Sequence, residues 1–354
     1  MISSLAVFRG CITAARTQLS LIALALLLAG CSANPIYSTT GMVLANYAEG
    51  EATPYVLQMA DTKMACSLGE GVDPLLYSFS RVTSAPDAVG SLLMLLSANC
   101  VEYRAWEAEL TYLRANFNGD VSEAKDAREQ TKRLNAEVAK RRLISFNRAM
   151  AAYDFDPAAE PLKCPFLFND QDELTFLLGL VTGMQAIVND ANSGALAGVP
   201  RSIAAQAERA ATCLDDDKWA GLPNAVRSLV WLLLPDTRPS LAPDPWAVLD
   251  HSVELGIQQG LRVSSALQVV AAETFGRPDV LASAIARFAE SEKTFQVNEE
   301  YRLVDIVGST VVQFSSDKHW SANYGYRTPN TFFGKMGPES DAGAVETMSL
   351  DDLL

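Results

Sequence analysis

The chain has 354 residues and carries 28 Lys plus Arg against 42 Asp plus Glu, a formal charge of -14 at pH 7, with an isoelectric point near 4.7. That balance argues against nucleic acid and anionic lipid surfaces as partners, because both attract stripes of Lys and Arg. Hydrophobic residues make up 49% of the sequence and mean hydropathy is +0.09, so the chain can bury a large core as one extended or two fused domains.

At the start, Arg9 and Arg16 precede an apolar run from Leu19 to Leu28, and Leu28-Ala29-Gly30-Cys31 closes it as a lipobox. The run is too short for a permanent transmembrane helix and reads as a secretory signal over residues 1–30. Cys31 is then the lipidated first residue of the mature protein. Its acyl chains, palmitate among them, are enough for stable anchoring where a single chain is marginal. Ser32 stands where an inner-membrane retention signal usually has Asp, so by resemblance to bacterial lipoproteins the expected address is the periplasmic face of the outer membrane. Removing residues 1–30 takes away two arginines and no acid, which moves the charge from -14 to -16. Residues 31–45 are expected to be a linker from the anchor, and no second stretch reads as long and apolar enough to cross a membrane.

From residue 46 to 333 the pattern is helical, with Gly, Pro, Asn and Asp between segments and no sustained strand alternation. Val43 to Leu68 has helical spacing and is expected to stop at Gly69 and Gly71. Asp73-Pro74 is expected to start a short helix through Val82, and Ala85-Pro86 to break it. Ala88 to Ala115 follows with a broad apolar face. Asp120 and Glu123 have capping-box spacing ahead of a charged helix over residues 121–153, and Asp170 and Glu173 have it ahead of Leu174 to Val188. The Pro-containing connector at residues 154–165 is a soft subdomain boundary. Further helices are expected at Pro200–Leu214, Ala220–Leu234, Pro245–Gly260, Val263–Phe275, Asp279–Lys293 and Val297–Phe314. Residues 334–354 read as a disordered acidic tail. Cys66, Cys100, Cys164 and Cys213 remain after the leader and the lipidated cysteine are set aside; in an oxidising compartment they allow two disulfides with three pairings, or free buried thiols.

Ala284, Phe288 and Ser291 have the spacing at which the two helices of a tetratricopeptide hairpin cross closely, and Ile203, Ala207 and Ala210, followed by Leu214-Asp215 and Trp219, fit it more loosely. The expected architecture is therefore all-α, with stacked αα-hairpins forming a TPR-like right-handed helical-repeat solenoid. The two histidines, His251 and His319, share no metal or hydrolase spacing, and no nucleophile elbow, phosphate loop or dinucleotide motif occurs. A non-enzymatic protein without cofactor or metal is expected. Tyr103, Trp106, Leu110 and Tyr112 put bulk near one side of a long helix. The run Leu229 to Leu234, with Trp231 inside it, is apolar all round, and such an excess can line a cavity between helices. A basic island of Lys132, Arg133, Lys140, Arg141 and Arg142 offers a guanidinium such as Arg141 to a carboxylate. The candidate ligand residues are therefore Tyr103, Trp106, Leu110, Arg141 and Trp231.

Several segments together resemble the T component of tripartite ATP-independent periplasmic (TRAP) transporters. They are Asp73-Pro74-Leu75-Leu76 through Ala85-Pro86, Ala139-Lys140-Arg141-Arg142 leading to Tyr153, Leu214-Asp215 followed by Trp219-Ala220-Gly221-Leu222-Pro223, and Glu300-Tyr301-Arg302-Leu303-Val304. The resemblance implies tetratricopeptide-like hairpins around a ligand-accessible crevice. It also implies association with the periplasmic solute-binding protein of a transporter, a small hydrophobic or carboxylate ligand, and a homotrimer. The chain departs from that family in its four further cysteines, its acidic tail and the Asp215-Asp216-Asp217 loop. An envelope assembly scaffold without a small-molecule pocket is the alternative.

Overall fold

The computed structural model describes residues 34–338, all helix and connecting loops with no strand among them. The leader, Cys31 and residues 339–354 lie outside the described residues. The first helix, α1 (Pro35–Tyr47), occupies most of the expected linker. Asn34 caps it by accepting the Ile36 amide at 3.0 Å, and Pro35 supplies a helical φ at its first turn. A π-turn at Ala48–Ala52 leads into α2 (Thr53–Leu57), and α3 (Thr62–Ser78) follows with Asp61 as its cap.

The predicted break at Gly69 and Gly71 is absent, because α3 runs straight through both and through Pro74. Gly69 instead allows a close crossing: a Cβ there would lie 2.5 Å from the Leu93 carbonyl oxygen on α4. One turn away, Cys66 bridges Cys100 across the same pair of helices. The long hairpin of α4 (Asp87–Asn118) and α5 (Val121–Ala152) turns at Gly119, whose φ of 76° is the left-handed conformation glycine adopts without strain. Asp120 caps α5 at the Glu123 amide as its spacing predicts, whereas the cap of α6 (Asp170–Ser193) is Asn169 rather than Asp170. Buried Ser91 and Ser145 exchange hydrogen bonds across α4 and α5. Gly179 and Gly183 let α6 close onto Ala149 and Phe146 of α5.

An 18-residue window of α6 reaches a mean hydropathy of 1.3, enough by length and composition for a membrane span, but 78% of it is buried inside the helical stack. The connector at 154–165 does not divide the core: Phe146 and Ala149 before it and Leu174 and Leu177 after it belong to one apolar cluster. Cys164 in that connector bridges Cys213, so one of the three pairings left open by the sequence is formed.

Then α7 (Ser202–Ala211), α8 (Leu222–Leu233), α9 (Pro245–Gln259), α10 (Val263–Thr274) and α11 (Pro278–Ser291) each pack on the preceding helix. Ala207, Ala210, Ala284 and Phe288, the small and bulky positions of the repeat pattern, are all buried. The order breaks at α12 (Arg302–Tyr324), which packs on α10 and reaches back to α4. This helix starts five residues later than its sequence suggests and runs ten residues further, because Ser315, Ser316 and Asp317 are buried helical residues rather than a break; it ends at Gly325. Residues 334–338 belong to the fold rather than to a free tail: the Lys335 carbonyl accepts from the Trp320 indole at 3.0 Å, and the Met336 carbonyl pairs with His319 Nε2 at 2.8 Å.

Candidate ligand-binding cavity

Because α12 returns to α4, the stack encloses a cavity of about 610 Å³, walled by α1 to α6, α8, α10 and α12 and partly open to solvent. Three of its walls run side by side in the same direction. Leu96 and Leu303 share a cluster near the starts of α4 and α12, Trp106 stacks on Phe314 further along with ring centroids 4.5 Å apart, and Glu109 approaches Lys318 at 4.0 Å beyond that. On α10 and α12, the Arg262 amide donates to Asp305 Oδ1 at 2.8 Å at the start, and Glu273 meets Lys318 at 2.7 Å at the end.

Along each of these helices the cavity-facing residues change from aliphatic to charged. On α4 they run from Leu92, Leu95 and Leu96 through Asn99 and Glu102 to Trp106 and Glu109; on α10 from Val263, Leu267 and Val270 to Glu273; and on α12 from Leu303, Val304, Val307 and Val311 to Phe314 and Lys318. The residues recur at helical spacing, so each set forms one stripe. At 1.5 Å per residue the gradient from Leu96 to Glu109 extends about 20 Å. Leu178, Val181 and Met184 of α6 add to the apolar wall.

The charged groups form two sets. Arg142 on α5 is buried, donates to both carboxylate oxygens of buried Glu102 at 2.9 and 2.5 Å, and also bonds Asn189. Asn189 in turn donates to Asn135 at 2.9 Å. Arg142 Nε is buried with no hydrogen bond among the described residues. In the second set, Lys318 lies between Glu273 and Glu109 and 5.3 Å from the Phe314 ring centroid. Burial disfavours charge on Lys318, but Glu273 and Glu109 override it and keep the ammonium protonated. Burial pushes the Glu109 carboxyl above its ordinary range, with Glu273 adding to the rise and Lys318 and Arg128 opposing it. The Glu109 carboxylate accepts no hydrogen bond among the described residues, its ion pair with Lys318 being at 4.0 Å.

Of the residues singled out by sequence, Trp106 lines the cavity. Tyr103 stands behind it, edge-on at 5.3 Å, with a buried hydroxyl beside Thr62 that lacks a well-formed hydrogen bond. Leu110 is buried in the helix packing and is not a wall residue. Arg141 points away from the cavity and is engaged by Glu70, Glu137 and the Ser97 carbonyl. It is the next residue, Arg142, that faces in. Trp231 turns toward α7, where its indole donates to Glu208 at 3.2 Å, while Leu229 and Leu233 of the same apolar run line the cavity. Sequence reasoning missed Glu102, Glu109, Glu273 and Lys318. The available signal was a charge at the end of three otherwise aliphatic stripes. No group of three or more His, Cys, Asp or Glu suited to a metal occurs among the described residues. Comparison of the chain with family models, curated proteins and solved structures finds no match.

Proposed function

We propose that this chain is a non-enzymatic, lipid-anchored periplasmic helical-repeat protein that shelters a small hydrophobic ligand in the cavity closed by α12 and docks a solute-binding partner, as the resemblance to TRAP transporter T components implies. The observation that carries the reading is the cavity itself. Protein interiors are packed as densely as organic crystals, and voids larger than a water are few, so an aliphatic space of about 610 Å³ lies in the size range of small-molecule sites. A carboxylate ligand finds less support than a hydrophobic one, because Arg141 and Arg142 are both held by carboxylates of the chain. The anchored placement is supported by α1, which starts four residues after Cys31 and leaves Ile36, Tyr37, Val43 and Tyr47 exposed, an apolar face suited to a membrane interface or a partner.

Native mass spectrometry of the protein purified from its own envelope tests the ligand. A retained small molecule is expected, together with loss of most of its occupancy in Trp106→Ala at unchanged helicity. An empty wild-type cavity in every preparation, with a stable protein partner bound instead, favours the assembly scaffold and overturns the ligand reading.

A further inference from the structure

The walls of the cavity carry three carboxylates, Glu102, Glu109 and Glu273, and two cations, Arg142 and Lys318. Arg142 is consumed by Glu102 in a two-pronged pair, which leaves Lys318 alone against two carboxylates. The excess negative charge therefore sits at the far end of the aliphatic gradient, where α4, α10 and α12 converge. Glu109 is the less satisfied of the two: its only ion-pair partner is at 4.0 Å, whereas Glu273 holds the same ammonium at 2.7 Å. About a quarter of the Glu109 side chain is open, 28%, and that surface faces the cavity it lines. A carboxylate whose one ion pair is long, in a site walled by Trp106 and Phe314, gains most from a donor that brings positive charge.

We infer that the cavity selects a single-chain amphiphile with a cationic, hydrogen-bond-donating head such as a primary ammonium, its tail along Leu96, Val307 and Leu267 and its head at the Glu109 carboxylate, the one that Lys318 reaches only at 4.0 Å. The inference rests on the ligand-sheltering reading above and specifies the chemistry of that same site. A carboxylate head is disfavoured twice, by Glu109 and Glu273 at this end and by Glu102 beside the unpaired Arg142 Nε. The stacked Trp106 and Phe314 rings add a π face against which an ammonium is also stabilised.

The test uses the full chain and three twelve-carbon amphiphiles below their micelle concentrations: dodecylamine, dodecanol and dodecanoate. Each displaces a neutral solvatochromic dye from the protein, and the readout is the concentration for half displacement. Dodecylamine is expected to bind at least about tenfold more tightly than dodecanoate. The acidic surface of the chain would itself attract an amine, so the deciding comparison is with Glu109→Gln and Glu109→Gln/Glu273→Gln. These variants should lose the amine preference and keep the wild-type affinity for dodecanol, which also shows that they are folded. An amine preference that survives in both variants, or dodecanoate binding as tightly as dodecylamine in the wild type, overturns the head-group assignment alone. Failure of all three amphiphiles and of the dye to bind the wild type overturns the ligand-sheltering reading itself.

Discussion

The closing helix is held at its start by one buried ion pair, and breaking that pair should loosen the cavity wall. Arg262, at the first turn of α10, is 4% exposed and Asp305, in the first turn of α12, is 2% exposed. Asp305 accepts the Arg262 amide at 2.8 Å, Nε at 3.2 Å and Nη2 at 2.9 Å. Glu292 takes Nη1 at 2.7 Å, and the guanidinium lies over Phe295 at 3.5 Å and Phe288 at 4.4 Å from the ring centroids. Asp305→Ala removes three of these bonds and leaves a buried cation with the half-exposed Glu292 as its remaining counter-ion, beside the Ser291 and Ser309 hydroxyls at 3.4 Å. Removing one partner of a buried pair costs about 3–5 kcal/mol, and at roughly 2 °C per kcal/mol for a chain of this size the melting temperature should fall by about 6–10 °C. Circular dichroism melts with intact disulfides measure it. The double variant Arg262→Met/Asp305→Leu should recover most of the loss. Replacing a buried pair with apolar residues of similar volume is often neutral, and the Met thioether suits the two Phe rings. A loss below about 1 kcal/mol for Asp305→Ala, or a double variant as unstable as the single one, refutes the claim that this pair docks α12.

Two further outcomes follow from the same coordinates. Burial raises the Glu109 carboxyl above its ordinary value of 4.5, so the folded state holds this proton more tightly than the unfolded state and stability falls as pH rises through the raised value. Glu109→Gln removes that cost while Lys318 keeps Glu273; the variant should melt above the wild type at neutral pH, with the gap closing as pH falls toward the ordinary carboxyl value of 4.5, and a lower melting temperature at pH 7 contradicts the assignment. Opening the Cys164–Cys213 bridge, which spans 49 residues, by Cys164→Ser/Cys213→Ser should cost about 4 kcal/mol by loop-closure entropy, read as a lower urea midpoint under oxidising conditions that keep Cys66–Cys100 closed.

The helices were legible because their punctuation is local: Asp120 and Gly119 act within one turn of where they stand, and the repeat positions Ala207, Ala210, Ala284 and Phe288 needed only spacing. Gly69 and Gly71 were misleading for the converse reason. In sequence a glycine pair reads as a stop, but here Gly69 serves a neighbouring helix more than twenty residues away, and α3 gains more from that close approach than it loses in propensity. The inward face of a helix was harder still. Arg141 and Arg142 differ by about 100° around the α5 axis, and only the position of Glu102 on α4 decides which of them turns in. Trp231 and its neighbours Leu229 and Leu233 pose the same problem, since a run that is apolar all round gives no moment to orient it. Glu109, Glu273 and Lys318 converge from three helices separated by up to about two hundred residues, a juxtaposition that follows from the return of α12 and from no local pattern.

The shape of that return explains why the three aliphatic stripes line a space instead of collapsing into ordinary core. Near their starts α10 and α12 can approach closely, because Gly308 offers no side chain and a Cβ there would lie 3.3 Å from the Val263 Cα. Further along α4 and α12, Trp106 and Phe314 lie face to face across the gap, 4.5 Å apart and 12° from parallel. A helix held close by a small residue at one end and met by two stacked rings toward the other cannot settle further onto its neighbours. Closing that gap would push these rings into each other or force them off their rotamers, at about 1–3 kcal/mol, and would crowd Glu109 and Glu273 further around one ammonium. The stacked rings and the charges beyond them therefore both hold the walls apart and set the polarity of this end of the cavity.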